Sequence, residues 1–411
     1  MNLARRVTLS FALSGMLAVE AVAGGFQLNE HGARAMAQAG AFVARASDGS
    51  AVFFNPAGLA FQDQISVYGG VTAVIPTVSF YGPLQNNTNA KTQAPNQFFS
   101  PINAYVTYPA FERLHVGIGV NNPYGLGSEW PDTWIGRYLT TYVSLHSFYF
   151  SPTVSYKITD DLAVGGGFNY VTGSVSLERA VAIPLQAADG DPKVTLDLTG
   201  HGYGWNAGAL YKITRDISIG ASYRSSVKMD ASGTASFNPN YAPLDLPAGG
   251  VTTSIKLPAT AFAGLAWTPA GEKYQIEADY QWIGWSSYNQ LAFTFQADGS
   301  QVIQPKNYSD TYILRIGGEY ALGDFRIRGG YLFDHSPVST EYVDPILPDA
   351  NRNGINLGLG YSFSKEFSVD VAYLLLLFNE RKAVNTTPTV NFDGTYHTHV
   401  SLFGVNLGYS I

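Results

Sequence analysis

The 411-residue sequence has no cysteine, few charged residues and no long hydrophobic run. The lack of cysteine argues against the disulfide scaffolds that are common among small exported domains. Charged residues make up only 13% of the chain, about half of the share found in soluble domains. The longest apolar run beyond the N-terminal segment, VAYLLLLF at 371–378, is shorter than the roughly 18 residues of a spanning helix. These absences exclude a helical membrane protein and disfavour an ordinary soluble one.

The first 23 residues have the pattern of a secretory signal peptide. Two arginines precede an apolar run at 7–19, and the Ala-Val-Ala triplet at 21–23 has the small-residue spacing of a cleavage site. Glu20 ends the apolar run too early for a transmembrane anchor. We therefore expect an exported protein whose mature chain begins at Gly24.

The chain is acidic and rich in aromatic residues and glycine. Its formal net charge is −7, and removal of the two arginines and one glutamate of the signal peptide makes it −8. This balance disfavours nucleic acid as a partner. Tyrosine and phenylalanine together number 50 and glycine numbers 43, so the composition favours an outer-membrane β-barrel of a Gram-negative-type bacterium.

Alternation with a period of two dominates the chain after residue 62. At the C-terminus, large apolar residues at 403, 405, 407, 409 and 411 alternate with glycine, asparagine and serine. One face of such a strand meets lipid and the other faces a lumen. We predict 14 strands, at 64–80, 101–109, 113–121, 142–158, 161–179, 193–213, 216–229, 252–267, 273–284, 307–321, 324–334, 354–363, 366–378 and 396–411.

The predicted connections alternate between short and long. Short turns such as TDD, TRD, LGD and SKE alternate with longer polar segments, which include 81–100, 122–141, 230–251, 284–306 and 335–353. Outer-membrane barrels have short periplasmic turns and long extracellular loops. The fold class that we predict is therefore all-β, a transmembrane antiparallel β-barrel of about 14 strands.

Residues 24–62 lack this alternation and are rich in alanine and glycine. A barrel of about 14 strands has a lumen wider than its own inward side chains fill. We predict that residues 24–62 form a small helical hatch that plugs the lumen, and that the barrel occupies 63–411. The alternative is a flexible periplasmic leader, because chain termini are often poorly ordered.

Two segments resemble a known family. The N-terminal GGFQLNEHGARAMAQAGAFVARASDGSAVFFNPAGLA resembles the mature N-terminus of FadL-type outer-membrane transporters of long-chain fatty acids and other hydrophobic compounds, which include toluene and xylene transporters. GVNNPYGLGSEWPDTWIGRY at 119–138 is similar to the end of the family's third strand and its following loop. The resemblance implies a hydrophobic luminal pocket behind the hatch and a sideways exit near strand three.

The resemblance also implies candidate residues for ligand binding and gating. Phe26 matches the family's N-terminal phenylalanine, and we include Leu28 in the same candidate gate. The motif Asn55, Pro56 and Ala57 matches the family's hatch motif. On the third predicted strand, Gly117 and Gly119 alternate with apolar residues. Glycine within a strand marks either a bend, which would open the wall, or room for the hatch.

Strand phase turns several charged residues toward the lumen. Arg224 and Arg315 are candidates for binding a ligand carboxylate, because the arginine fork matches a carboxylate. The alternative is an ion network that holds the hatch. The other residues predicted to face inward are Lys228, Glu277, Asp279, Glu319, Arg326, Arg328 and Asp370.

Other chemistries have little support in the sequence. His397 and His399 share a strand face but have no third metal ligand, and nucleotide-binding and hydrolase motifs are absent. We expect a monomer without cofactor, metal site or enzymatic activity that contacts a hydrophobic small molecule, outer-membrane lipid and lipopolysaccharide. The alternatives are an open porin, a barrel hydrolase, and a surface receptor or adhesin that acts through its long loops.

Overall fold

The computed structural model describes residues 24–84, 89–182, 191–239, 247–269, 271, 273–384 and 392–411. The predicted signal peptide at 1–23 lies outside the described residues. Within these ranges, no helix is both long enough and apolar enough to cross a membrane.

The described chain consists mainly of strands. They are β1 (Ser66–Tyr81), β2 (Lys91–Gln93), β3 (Ile102–Pro109), β4 (Leu114–Asn121), β5 (Gly125–Glu129), β6 (Tyr142–Lys157), β7 (Leu162–Ala180), β8 (Lys193–Lys212), β9 (Ile217–Arg224), β10 (Val227–Asn238), β11 (Gly249–Leu257), β12 (Thr260–Trp267), β13 (Tyr274–Ile283), β14 (Gln290–Phe295), β15 (Gln301–Pro305), β16 (Thr311–Leu322), β17 (Phe325–Asp334), β18 (Arg352–Ser362), β19 (Phe367–Phe378), β20 (Arg381–Ala383) and β21 (Gly394–Ser410). The helices are α1 (Ala33–Met36), α2 (Ala51–Phe54) and the 3₁₀ helices Pro56–Phe61 and Trp285–Ser287.

Fourteen of these strands close into a ring in which every neighbouring pair is antiparallel. The ring runs β1–β3–β4–β6–β7–β8–β9–β12–β13–β16–β17–β18–β19–β21 and returns to β1. The closing pair is in continuous register from Ser66 opposite Ser410 to Tyr81 opposite Thr395. The predicted closed 14-stranded barrel is confirmed.

The two faces of the wall differ as the alternation predicts. On β21 the side chains of Phe403, Val405 and Leu407 are exposed on the outer face, whereas Asn406 points inward and is fully buried. An outward band of apolar side chains is what lipid contact requires. Ser66 at the start of β1 pairs with Ser410 at the end of β21, and both lie on the rim of the short turns, which is the periplasmic rim by the same rule.

At the extracellular rim, several segments that the sequence indicates as loops are strands. The predicted loops at 122–141, 230–251 and 284–306 contain β5, most of β10 and β14 with β15. The strand predicted at 216–229 is wrong in one respect, because it breaks at Ser225–Ser226 between β9 and β10. After this break, the positions predicted to point inward point outward, and those predicted to point outward point inward. Lys228 therefore points outward, with its side chain 66% exposed, and not into the lumen.

The hatch lies inside the ring and is almost entirely buried. Inward-facing glycines let its backbone approach the wall closely. A Cβ atom at Gly165 of β7 would lie 2.5 Å from the carbonyl carbon of Pro56, and one at Gly220 of β9 would lie 2.1 Å from the Val43 oxygen. The glycine-rich inner face of the wall is therefore the surface on which the hatch packs.

Candidate functional site

Phe26 lies in an aromatic cage on the extracellular side of the hatch. Its ring centroid is 4.6 Å from that of Trp285, 5.3 Å from that of Tyr288 and 6.1 Å from that of Tyr124, all in edge-on geometry. Only 2% of Phe26 is exposed. Gly25, at φ +63°, lies against the indole of Trp285, so that a Cβ atom there would be 2.2 Å from a ring carbon. The first residues of the hatch thus fill an apolar chamber.

The same segment is docked onto an irregular part of the third wall strand. Between β4 and β5, the three residues 122–124 face only the two residues 147–148 of β6, so the chain carries a β-bulge there. The amide of Leu28 donates to the Pro123 oxygen at 2.8 Å, and the amide of Gly125 donates to the Phe26 oxygen at 2.9 Å. The hatch therefore satisfies backbone groups that the bulge frees.

The Asn122 side chain seals the rest of the bulge. Its amide oxygen accepts from the backbone N–H of Ile102 at 2.9 Å, and its amide nitrogen donates to the Ser147 oxygen at 2.7 Å. One side chain thus replaces ladder bonds toward both neighbouring strands. The wall therefore has no gap at Asn122.

Asp349 holds the beginning of the described chain. It lies in the loop between β17 and β18, is fully buried, and accepts from the Gly24 amide at 3.0 Å and the Gly25 amide at 3.4 Å. The hydroxyl of Ser336 also donates to it, at 2.6 Å. Burial raises the pKa of Asp349, against which the Ser336 hydrogen bond and the charge of Arg352 act. An extracellular loop is therefore linked to the candidate gate.

His31 joins the gate to the body of the hatch. Its Nε2 donates to the Leu28 oxygen at 3.0 Å, so Nδ1 is left to accept from the Asn121 amide at 3.3 Å. The imidazole packs against the Phe53 ring at an interplanar angle of 38°, with centroids 3.6 Å apart. Burial, aided by the positive charge of Arg224, lowers the pKa of His31 to about 3. His31 is therefore neutral at physiological pH.

The Asn55-Pro56-Ala57 motif ties the hatch to itself and to the wall. The Asn55 amide oxygen caps the 3₁₀ helix by accepting from the Ala57 N–H at 3.1 Å. Its amide nitrogen donates to the Val43 oxygen at 2.8 Å and to the Ala209 oxygen of β8 at 3.0 Å. The turn packs against β7 and β8, while the segment from Phe26 to Leu28 lies at the break in strand three.

Gly117 and Gly119 face the hatch and do not bend the strand. A Cβ atom at Gly117 would lie 3.1 Å from Leu59, and one at Gly119 would lie 2.7 Å from Tyr105 and 2.9 Å from Val52. The pairing of β4 with both neighbours runs without interruption through both glycines. Of the two alternatives given for these glycines, room for the hatch fits this geometry and a bend does not, because the irregularity begins at Asn122.

Arg224 and Arg315 both point inward, and each is 4% exposed. The Arg224 guanidinium stacks over Phe53 at 4.3 Å and donates through Nη2 to the Phe53 oxygen at 2.9 Å. Arg315 donates through Nη2 to the Asn29 side-chain oxygen at 3.0 Å. In both residues Nε and Nη1 are buried without a hydrogen-bond partner among the described residues. Each guanidinium thus retains free donors.

The other inward charges form a network that holds the hatch. Arg45 pairs with Glu277 at 2.6 Å, and Arg328 pairs with Asp370 at 2.6 Å. Arg34 lies 3.7 Å from the Asp370 carboxylate. The remaining contacts in this set are Arg34 with Asp48, Arg328 with Glu319, the amides of Phe42 and Val43 with Asp279, and the amide of Ala44 with Glu277. The luminal ion network inferred from strand phase is confirmed.

Several cavities lie around this assembly among the described residues, of which three bear on the site. A polar vestibule of about 700 Å³ opens below the hatch and is bordered by Arg45, Asp48 and Lys212. A small apolar pocket of about 40 Å³ lies among the extracellular segments and is lined by Leu139, Leu177, Val194, Leu196, Phe293, Phe295, Val302 and Ile346, among others. An open groove of about 650 Å³ runs along the outer wall and is lined by Val116, Gly117, Pro152, Thr153, Val154, Gly166, Gly167, Phe168 and Trp205.

Sequence reasoning did not identify several residues of this site. Tyr124, His31, Trp285 and Asp349 belong to no motif with a chemical signature, although the first two lie in the segments that carry the family resemblance. Among the described residues, no group of three or more histidine and acidic side chains is placed to hold a metal ion. His397 and His399 are both exposed on the outer face of β21.

Comparison with known proteins places these features in context. The sequence model for "Outer membrane protein transport protein (OMPP1/FadL/TodX)" matches residues 14–411. The chain is 26% identical to the long-chain fatty acid transport protein of Escherichia coli K12, over 96% of both chains. It superposes on a Pseudomonas aeruginosa FadL homologue with a TM-score of 0.84 at 20% identity, covering 94% of this chain and 99% of the other. Superposition on the Ralstonia pickettii toluene transporter TbuX gives a TM-score of 0.68 at 18% identity, covering 91% of this chain and 97% of the other.

Proposed function

The chain belongs to the OMPP1/FadL/TodX family of outer membrane transport proteins, and we propose that its cargo is a long-chain fatty acid or another hydrophobic small molecule. The family consists of transport proteins and not of enzymes. Relatives and structural neighbours carry names that refer to long-chain fatty acids and to toluene, and the aromatic cage around Phe26 suits either class of compound.

The aromatic cage around Phe26 is the observation that carries the proposal. A cargo chain that enters an apolar chamber gains about 0.8 kcal/mol for each methylene removed from water. A water-filled pore would give no such gain. The pocket among the extracellular segments, with Leu177, Leu196 and Phe293 in its lining, supplies an apolar surface for first capture.

Phe26 and Leu28 act as the gate in this mechanism. Phe26 occupies the chamber that cargo would fill. The backbone of the segment is held by hydrogen bonds with the backbone of Pro123 and Gly125 and with the Asp349 carboxylate. Cargo that displaces the Phe26 ring takes over the apolar contacts of that ring. The released segment exchanges its hydrogen bonds with the wall for hydrogen bonds to other partners. The gate thus opens when cargo competes for the aromatic cage.

Arg224 and Arg315 hold the polar end of an acidic cargo. Each is buried and retains two unpartnered guanidinium nitrogens. A carboxylate that accepts from such nitrogens makes a charge-assisted pair, which is stronger than a neutral hydrogen bond. An aromatic hydrocarbon makes no such pair. Substitution of Arg224 or Arg315 by Gln should therefore weaken binding of an acidic cargo and leave binding of a neutral cargo unchanged.

Lateral release near strand three is the last step of the mechanism. The outer-wall groove reaches Gly117 of β4 and extends across β6 to Gly166 of β7. Within this region the register between β6 and β7 lacks the pairs at Ser151 and Pro152. Proline has no N–H to give to a ladder, and it is rare within closed sheets for that reason. The wall therefore has fewer ladder pairs where the groove lies.

We treat residues 24–62 as one functional hatch and residues 63–411 as the barrel. The hatch fills the lumen through close contacts with inward glycines and through the ion network. Deletion of 24–62, with the signal peptide retained, is expected to convert a nearly closed protein into a conducting pore. If the correctly folded deletion protein shows no gain in conductance in planar bilayers, the hatch does not close the lumen.

Transport is tested by uptake and by the identity of co-purifying molecules. Cells that lack their own outer-membrane route for hydrophobic compounds, and that express this chain, should take up labelled fatty acid or toluene faster than cells with empty vector. Mass spectrometry of the purified protein should detect bound hydrophobic molecules. Large, steady conductance of the intact protein would instead favour a porin, and turnover of phospholipid or ester would favour a hydrolase.

A further inference from the structure

Two lysines face each other on the outer surface of the barrel. Lys228 of β10 lies directly opposite Lys256 of β11, and both side chains are exposed. Like charges directly opposite in a sheet are destabilising. Asp230 compensates part of this repulsion by pairing with Lys228 at 2.8 Å. Among the residues that the structure describes, Lys256 has no ion pair.

These lysines lie at the upper edge of the apolar band. Tyr170 of β7 faces Tyr203 of β8, and continuation of the β8–β10 register by two residues places Tyr203 beside Lys228. Tyrosine and tryptophan at this height form the aromatic girdle of an outer-membrane barrel. The next outward-facing row toward the cell exterior consists of Thr172, His201, Asp230 and Ser254. The outer face therefore changes from apolar to polar at the two lysines.

We propose that Lys228 and Lys256 bind a phosphate group of lipopolysaccharide in the outer leaflet. The acyl chains of this glycolipid lie against the apolar band, so its phosphates are at the height of the girdle. Lysine binds phosphate as a compact positive charge, and two such charges on neighbouring strands match one dianionic group. The phosphate removes the repulsion between the lysines, and Asp230 competes with it for Lys228.

The test uses native mass spectrometry of the folded full-length protein. Lipid A that carries its phosphates is compared with dephosphorylated lipid A of the same acyl composition. The wild-type protein should prefer the phosphorylated form. In Lys228→Gln/Lys256→Gln the affinity for that form should fall roughly tenfold, while binding of the dephosphorylated form stays unchanged. Lys382→Gln, which removes an exposed lysine on β20, is the matched control and should behave as wild type.

Asp230→Asn gives a test in the opposite direction. Loss of the competing carboxylate should strengthen binding of phosphorylated lipid A, and a decrease or no change would overturn the proposal. If the double variant does not fold, Lys256→Gln alone decides, because Lys256 has no ion pair to lose within the described part of the chain. The proposal also fails if the double variant keeps its preference, if both lipid forms weaken equally, or if inorganic phosphate displaces the lipid at equal concentration.

Discussion

The amide of Gly125 donates a 2.9 Å hydrogen bond to the carbonyl oxygen of Phe26. This bond joins the candidate gate to the strand that follows the bulge in the wall. The partner bond from Leu28 to Pro123, at 2.8 Å, makes the contact a short antiparallel bridge. A movement of the gate must therefore break backbone pairing with the wall, which couples the luminal chamber to strand three.

Asp349→Ala is expected to loosen the gate. The carboxylate accepts from the amides of Gly24 and Gly25, and hydrogen bonds to charged groups contribute about 1.5–3 kcal/mol each. Hydrogen–deuterium exchange at residues 24–30 should rise by roughly tenfold or more. Asp298→Ala, in an exposed turn, should leave exchange there unchanged. Equal exchange in both variants would show that Asp349 does not hold the segment.

Asn55→Ala is expected to destabilise the hatch without unfolding the barrel. The variant loses a helix cap of about 1 kcal/mol, and it leaves the buried oxygens of Val43 and Ala209 without their donor. Each unsatisfied group costs about 1–3 kcal/mol. Planar bilayers should show more frequent openings than for wild type, with the heat-resistant folded band on gels retained. Asn289→Ala, at an exposed residue, should conduct as wild type.

The repetitive part of the fold was predictable from sequence, because alternation with period two records which face meets lipid. The irregular part was not. A single extra residue reverses the phase of all that follows, and the break at Ser225–Ser226 therefore placed Lys228 on the wrong face. Asp349 and Trp285 reach the gate from segments that connect strands. In such segments the sequence spacing of residues does not indicate where their side chains point. The inward phase of Arg224 was predicted correctly because it lies before the break.

The pair between Arg45 and Glu277 is expected to matter more than an exposed pair. Arg45 is 8% exposed and Glu277 is fully buried, with the Ala44 amide also donating to the carboxylate. Removal of one partner from a buried pair costs about 3–5 kcal/mol, so Arg45→Met should lower the denaturant concentration at which the hatch unfolds. Arg326→Met is the control, because Arg326 is 35% exposed and 3.8 Å from Glu319. Such a pair contributes about 0–1 kcal/mol. If the denaturant concentration at which the hatch unfolds falls equally in the two variants, the buried pair does not stabilise the hatch more than the exposed one.

Gly166→Leu tests lateral release without disturbing the hatch. Bulky substitutions at Gly117 or Gly119 also reduce passage in the proposed mechanism, but their side chains would displace Val52 and Leu59, so they cannot separate a blocked exit from a loosened plug. Gly166 differs, because a Cβ atom there meets only the Asn206 backbone oxygen, at 3.3 Å, and the residue lines the outer groove.

A leucine at residue 166 should fill the groove and reduce uptake of a hydrophobic cargo several-fold, while cargo still binds in the lumen. Gly329→Leu is the matched control, because Gly329 faces outward on β17, where a Cβ atom meets nothing closer than 3.7 Å. Both variants should insert in normal amounts and keep the wild-type conductance, since neither side chain reaches the hatch. If both transport at the same rate as wild type, cargo does not leave through the groove between β4 and β7, and the interrupted pairing at Pro152 serves another purpose.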